Sequence, residues 1–140
     1  PVNVPTKVRK VEVGSKLEKV FKIKLIYFDL DKFNVRQDAE VELAKILDVL
    51  EQYPTMELDI RSHTDCRQTA KYNEWLSDNR AKSTMAWLVK HGINKKRLKA
   101  KGYGESQLVN DCGCEPTNES TCTEEQHQAN RRSEFVITKI

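Results

Sequence analysis

The apolar residues of this chain change their period as it proceeds, and that change limits what it can fold into. Phe21, Ile23, Leu25 and Tyr27 recur at every second position, with Lys22, Lys24 and Ile26 between them. This is the pattern of a strand that buries one face. Over residues 37–53 the period lengthens. Leu43, Ile46, Leu47 and Leu50 make a narrow apolar stripe, Glu40, Glu42, Lys45 and Glu51 lie elsewhere around the barrel, and Pro54 ends the helix. Met56, Leu58 and Ile60 then return to period two against Glu57, Asp59 and Arg61. A second helix is predicted over residues 70–91, closed by Gly92. A short strand over 98–104 ends in the Gly102-Tyr103-Gly104 turn, a helical turn lies around 124–128, and a last strand over 134–140 alternates Phe135 and Ile137. Strands joined by helices favour a sheet with parallel pairs, covered by helices on one face.

Residues 1–20 predict an irregular lead-in with a short edge strand at Val11-Glu12-Val13 and a turn at Gly14-Ser15. Residues 21–140 make the domain. A chain of 140 residues is long enough to bury a real core. No apolar run approaches the roughly 20 residues needed to span a bilayer; Lys22, Lys24 and Asp29 interrupt the best candidate. Residues 1–10 lack the apolar core of a signal peptide, so the start reads as a processing boundary. The net charge is +3, from 24 basic and 21 acidic residues. The basic residues are dispersed, and the one cluster, Lys95-Lys96-Arg97, reads as a solvated helix end, so no nucleic-acid partner is expected.

Cys112, Cys114 and Cys122 share a Gly/Pro/Asn/Thr-rich stretch that lacks the apolar residues to hold itself together, and Cys66 is the fourth cysteine. Two disulfides would hold that stretch and imply an oxidising compartment such as the periplasm. A Cys112–Cys114 bridge needs a strained ring. Of the remaining pairings, Cys66–Cys112 with Cys114–Cys122 is preferred over Cys66–Cys114 with Cys112–Cys122. A zinc site built from these thiols, with His127, is the rival; its spacing matches no standard finger.

On the second helix, Asn73, Ser77, Arg80 and Thr84 fall within an arc of roughly 60°, bordered by Leu76, Ala81 and Leu88. A polar line centred on an arginine is awkward as pure core, because a buried guanidinium needs a partner. Two readings fit: an internal salt bridge to Asp65 or Asp29, or a fork for a ligand carboxylate. Asp65 lies just past a strand end, in the loop leading to this helix, where ligand contacts commonly sit. One carboxylate and one guanidinium facing a common space suit a zwitterionic ligand.

Taken together, these segments give a sequence that resembles the OmpA-like C-terminal domain family, which includes peptidoglycan-associated lipoproteins and flagellar stator anchors. The matching segments are residues 26–32, His63-Thr64-Asp65, Asn73-x-x-Leu76-Ser77-x-x-Arg80-Ala81, Gly92-Ile93, Arg97-Leu98, Gly102-Tyr103-Gly104-Glu105 and Asn130-Arg131-Arg132-x-Glu134-Phe135. The resemblance implies an α+β fold, a βαβαβ-β sandwich with helices on one face of a mixed four-stranded sheet. It implies non-covalent binding of peptidoglycan through diaminopimelate of the stem peptide, with no cofactor and no catalysis. Arg80 would take the carboxylate and Asp65 the ammonium. Leu76 would pack on the ligand's methylenes, and Asn73 and Ser77 would support the loop and helix. Thr64, Phe28 and Asp29 would line the pocket, with Arg131 a minor contributor. An anchor also needs a membrane end, expected on an N-terminal segment in the outer membrane, which places the domain on the periplasmic side of that membrane. Arg61-Ser62 and Arg67-Gln68 stand where the family commonly has glycines around this loop.

Two other readings compete with this one. An envelope protein–protein interaction module would use the same fold. A peptidoglycan hydrolase would need His63 and Asp65 as metal or acid–base groups and Cys66 as nucleophile, but His91 and His127 complete no cluster with them. His63 is expected to be a structural histidine, hydrogen-bonded to backbone.

Overall fold

The computed structural model describes residues 10–114 and 120–140; the lead-in's residues 1–9 and the loop's residues 115–119 lie outside the described residues. Its elements are α1 (Leu17–Val20), β1 (Ile26–Tyr27), α2 (Gln37–Gln52), β2 (Glu57–Ser62), α3 (Ala70–Lys90), a 3-10 turn (Lys95–Arg97), β3 (Leu98–Gly102), α4 (Glu124–Gln128) and β4 (Arg132–Lys139). Among the described residues the sheet has the order β1-β4-β2-β3, with β2 parallel to β3 and β4 antiparallel to both β1 and β2. This is a mixed, open α+β sheet.

Register sets the core. Leu58, Ile60 and Ser62 of β2 stand opposite Leu98, Ala100 and Gly102 on one side and Ile137, Phe135 and Ser133 on the other. Because side chains alternate across a strand, these residues share one face. It packs with Leu43, Ile46 and Leu50 of α2 and with Ala81 and Leu88 of α3 in a single cluster.

The strand expected over residues 21–27 is only two residues long. Lys22 adopts a left-handed backbone (φ 54°) just after α1, and Ile23 N donates to the Glu18 carbonyl (2.8 Å). Phe21 and Ile23 are therefore buried by a helix end and its exit turn. The buried phase then shifts by one, to Ile26 and Phe28, both 0% exposed. The edge strand expected at Val11–Val13 is absent as well. The turn at Gly14 (φ 94°) instead docks on β4, with Gly14 N donating to Ile137 O (2.8 Å) and Ile137 N to Ser15 O (2.9 Å).

Both long helices end on identifiable chemistry. At the end of α3, Ile93 N donates to Leu88 O and Gly92 N to Val89 O, both at 3.1 Å, with Gly92 left-handed (φ 106°). This is a complete Schellman motif. The last carbonyls of α2 are taken by a side chain from elsewhere. Arg97 donates to Leu50 O (2.9 Å), Tyr53 O (2.8 Å) and Met56 O (2.9 Å). Arg97 thus clamps the α2–β2 corner, whereas Lys95 and Lys96 are exposed.

Beside Ala81 and Leu88, α3 turns a polar strip to the sheet. Ser77, Arg80 and Thr84 are each 0% exposed, and Thr84 Oγ1 lies 3.1 Å from Ser133 Oγ, which in turn bonds Ser62 Oγ. This seam brings backbones close. A Cβ on Gly102 would collide with the backbone of Ser77 and Asp78 and with the Ser77 hydroxyl. Gly102→Ala is therefore expected to lower the unfolding free energy by about 2 kcal/mol or more, read from urea denaturation at constant m-value; an unchanged midpoint would contradict this packing.

Two buried titratable groups flank β4. Burial, with the Glu134 carboxylate adding to it, pushes the Glu18 carboxyl up from 4.5 to about 7. Burial and the Arg132 guanidinium pull the His63 imidazole down from 6.5 to about 4. Between 4.5 and 7 the folded chain holds a proton on Glu18 that the unfolded chain has lost, so this group's contribution falls as pH rises. His63 acts in the opposite sense: its contribution falls as pH drops from 6.5 to about 4. Glu18→Gln removes the first effect alone. The variant should exceed wild type by on the order of 2 kcal/mol near about pH 8, with the gap closing toward about pH 4. Urea unfolding at both pH values measures it, and a gap independent of pH would refute the assignment.

Candidate functional site

Arg80 reaches back from the middle of α3 to the loops that leave β1 and β2. Its Nε donates to Lys32 O (2.8 Å), one terminal nitrogen to His63 O (3.1 Å) and the other to Asp29 O (3.0 Å). Its carbon Cζ sits 5.2 Å from the centre of the Phe28 ring, within cation–π range. The salt bridge to Asp65 or Asp29 considered from the sequence is not formed. The guanidinium is fully buried and bonded to neutral carbonyls. Burial, reinforced by the nearby Arg131 cation, pulls it down to about 10, so it stays charged at neutral pH.

Asp65 is also buried but already occupied. Arg67 donates to it from its backbone N (2.9 Å), its Nε (3.2 Å) and a terminal nitrogen (2.7 Å). Arg131 adds a fourth bond at 3.1 Å. Burial pushes the Asp65 carboxyl up, but the donors from Arg67 and Arg131 outweigh it, and the group lies below its usual range.

Asp65 and Arg80 line one narrow cleft, together with Leu30, Asp31, Thr64, Arg67, Asn73, Leu76 and Arg131; these side chains nearly fill it and leave an open volume of about 10 Å³. Larger hollows elsewhere on the surface bring together neither of these buried charges. Thr64 contributes a buried hydroxyl with no hydrogen-bond partner among the described residues. Asn73 ties the loop down by donating to Asp65 O (3.3 Å), Arg67 O (2.9 Å) and Glu105 Oε1 (3.1 Å).

Three expected positions sit differently. Ser77 does not line the cleft; its hydroxyl accepts from Gly104 N (2.8 Å) and braces the turn after β3. Asp29 contributes its carbonyl, while its carboxylate is 58% exposed and faces Arg36 (3.5 Å). Phe28 lies beneath Arg80, with its carbonyl taken by Arg131 Nε (2.9 Å) and Gln128 Nε2 (3.1 Å). His63 is buried and stacks on Tyr103 (5.7 Å), but its ring nitrogens have no hydrogen-bond partner among the described residues, contrary to the backbone-bonded histidine expected.

Arg131 is central where a minor part was expected. It bonds Asp65, Phe28 O, Gln128 Oε1 (2.8 Å) and Glu124 Oε1 (2.8 Å). Sequence reasoning placed neither Arg67 nor Glu124 at the site. Arg67 had one visible sign, a bulky cation standing where a glycine is common. Glu124 follows the N-cap Thr123 of α4, whose capping box is complete, but nothing in the sequence pointed it at the cleft.

The disulfides are Cys66–Cys114 and Cys112–Cys122, which reverses the preferred pairing and leaves no thiol of the four for zinc or for a nucleophile. Asn130 decides it. Its side chain holds Val109 N (2.8 Å) and Asn110 Oδ1 (2.9 Å), and Asn110 donates to Gln126 O (2.9 Å). The start of the loop is thereby strapped to α4, so Cys112 meets Cys122 just ahead of that helix. Cys114 is left to reach Cys66, their Cα atoms 5.5 Å apart.

The sequence and the fold have known counterparts. Residues 27–121 match the OmpA family. The chain belongs to the OmpA family. Outer membrane porin F of Pseudomonas aeruginosa is 33% identical over 113 residues, covering 80% of this chain and 30% of that protein. The peptidoglycan-associated lipoprotein of Brucella melitensis is 33% identical over 104 residues, covering 74% of this chain and 59% of that one. The crystal structure of the peptidoglycan-associated lipoprotein of Burkholderia pseudomallei matches the fold with a TM-score of 0.73 at 24% identity, over 84% of this chain and 92% of that chain. The chain spans 30% to 59% of the length of these two curated relatives.

Peptide mapping without reductant should recover Cys66–Cys114 and Cys112–Cys122 and no other pairs. Removing the first bridge with a Cys66→Ser, Cys114→Ser double variant should cost about 2–4 kcal/mol and loosen Asp65; a recovered Cys114–Cys122 peptide would contradict the strapping by Asn130.

Proposed function

We propose that this domain binds peptidoglycan non-covalently, gripping the zwitterionic end of diaminopimelate in the stem peptide, and so tethers an outer-membrane-anchored protein to the cell wall from the periplasmic side. The observation that carries this reading is the state of Arg80. A buried cation bonded to neutral carbonyls lies beside a cleft that also holds the ionised Asp65. A ligand carboxylate supplies the anion that this guanidinium lacks, through the parallel hydrogen bonds that a planar fork favours. The ligand ammonium goes to Asp65. Leu76 offers an apolar wall to the methylenes between, and the Thr64 hydroxyl offers a further polar contact.

The names of the relatives support the same reading: an outer membrane porin and peptidoglycan-associated lipoproteins. They carry this domain as part of a longer chain, so the membrane end of the tether is assigned to a further segment. Binding needs neither a cofactor nor a bond-breaking step.

The test is pelleting with insoluble peptidoglycan, competed by free diaminopimelate. Asp65→Ala and Arg80→Ala should each stay in the supernatant, with a loss of about 2–5 kcal/mol from an unpaired charge. Since Arg80 also knits the fold, Thr64→Val is the cleaner probe: it should keep wild-type stability yet weaken binding by about 1 kcal/mol. Because Asp65 is held ionised below its usual range, pelleting of wild type should not change between about pH 8 and pH 5. Normal pelleting of all three variants would sink the assignment. Pelleting that free diaminopimelate does not compete would favour an interaction with another wall or envelope component.

A further inference from the structure

Arg67 stands in the seat that the proposed ligand's ammonium would take. Both oxygens of Asp65 hold guanidinium donors of the chain itself, two bonds coming from the Arg67 side chain and one from Arg131, while the Arg67 backbone N–H adds a fourth. The two arginines differ in freedom. The Arg131 side chain is 4% exposed, whereas that of Arg67 is 32% exposed and already leans on a second carboxylate, with its other terminal nitrogen 3.1 Å from Glu124 Oε2. Its backbone is held by the Cys66–Cys114 bridge beside it and by Asn73, which donates to the Arg67 carbonyl (2.9 Å). The side chain can therefore leave Asp65 while the loop stays in place.

We propose that Arg67 is the specificity-determining residue of this site, a built-in competitor for Asp65 that a ligand displaces only by bringing a carboxylate beside its ammonium. An end group with an ammonium alone gains Asp65 but strips Arg67 of its closest partner and gives nothing back. An end group with both charges takes Asp65 with one and offers the other to Arg80 and to the displaced Arg67, so every buried charge stays matched. The site thus accepts zwitterionic ends and rejects simple amines. Selectivity of this kind comes from the charges that the wrong ligand leaves unpaired, more than from any added attraction for the right one. The inference rests on the reading of the cleft as the diaminopimelate site.

The experiment is calorimetric titration of the intact, oxidised domain with two tripeptides, L-Ala-γ-D-Glu-meso-diaminopimelate and L-Ala-γ-D-Glu-L-Lys, each with its main-chain carboxyl amidated. Wild type should prefer the first by about 100-fold or more, because only that peptide brings a carboxylate to the buried Arg80; displacement of Arg67, which is part-exposed and keeps Glu124, accounts for about tenfold of it. In Arg67→Ala the lysine peptide should bind about tenfold tighter while the diaminopimelate peptide changes by less than about threefold. Arg67→Gln, which keeps most of the side-chain length, should narrow the ratio in the same way and guards against a loop that collapses on truncation. Equal changes for both peptides, in either direction or none, overturn the proposal. Asp65→Ala is run beside them: if it binds the diaminopimelate peptide like wild type, the site assignment itself has failed, separately from the role of Arg67.

Discussion

Arg80 joins three stretches of chain that lie apart in sequence. Its N–H groups reach the carbonyls of Asp29 and Lys32 after β1 and of His63 after β2, while its own backbone lies in α3. Taking a guanidinium out of water is costly, and here the carbonyl dipoles and the Phe28 ring offset that cost without supplying a negative charge. Much follows from this choice. The face of α3 that carries Arg80 must be polar, so the helix is held to the sheet through Ser77, Thr84, Ser62 and Ser133, and it can approach β3 closely because position 102 has no side chain. The loops at the end of the sheet are fixed from beneath, which is what allows a cleft to exist between them.

Arg97 shows the same device in a purely structural setting, clamping Leu50, Tyr53 and Met56 at the α2–β2 corner. The difference lies in what surrounds each group. The partners of Arg97 are three backbone carbonyls at a helix end, with no buried carboxylate among them. Around Arg80 there are the buried Asp65, the orphan Thr64 hydroxyl and a second buried guanidinium, Arg131. A clamp and the proposed binding group therefore share one residue type and one mode of hydrogen bonding, and they differ in the charges around them.

Periodicity made α2, β2 and α3 legible almost to the residue, because each is a one-faced element whose burial repeats regularly. It failed over residues 10–27, where two apolar residues two apart can belong to a helix end as readily as to a strand; Lys22 in a left-handed conformation is invisible to any pattern. The Asn73-to-Thr84 line was legible because side chains on one helical face must share an environment. The partners of its arginine were not, since backbone carbonyls carry no sequence signal. The disulfide pairing escaped for a related reason. Spacing restricts which rings are possible, but the choice between Cys112 and Cys114 as partner for Cys66 rests on where Asn130 straps the loop, a contact spanning 21 residues to Val109. Arg67 and Glu124 meet at the cleft across 57 residues, and only the fold shows it.

The charges at the cleft also bear on the guest proposed for it, an end group carrying both signs. Arg80 and Arg131 are buried cations, Asp65 is a buried anion, and Arg67 and Glu124 form a half-exposed pair at the mouth. In a site with little room for water, each unmatched charge acts at short range with weak screening. A neutral guest would cover Arg80 without giving it an anion. A cation alone would crowd a cluster already rich in guanidinium groups, and an anion alone would answer Arg80 while facing Asp65. A zwitterion adds no net charge, and its two ends can each be set against the opposite sign, so it is the guest whose burial leaves the fewest charges unpaired. The selectivity proposed for this cleft then follows from how tightly its own side chains are already paired, and the fold maintains that pairing by holding Asp65 between a bridged cysteine and the helix that carries Arg80.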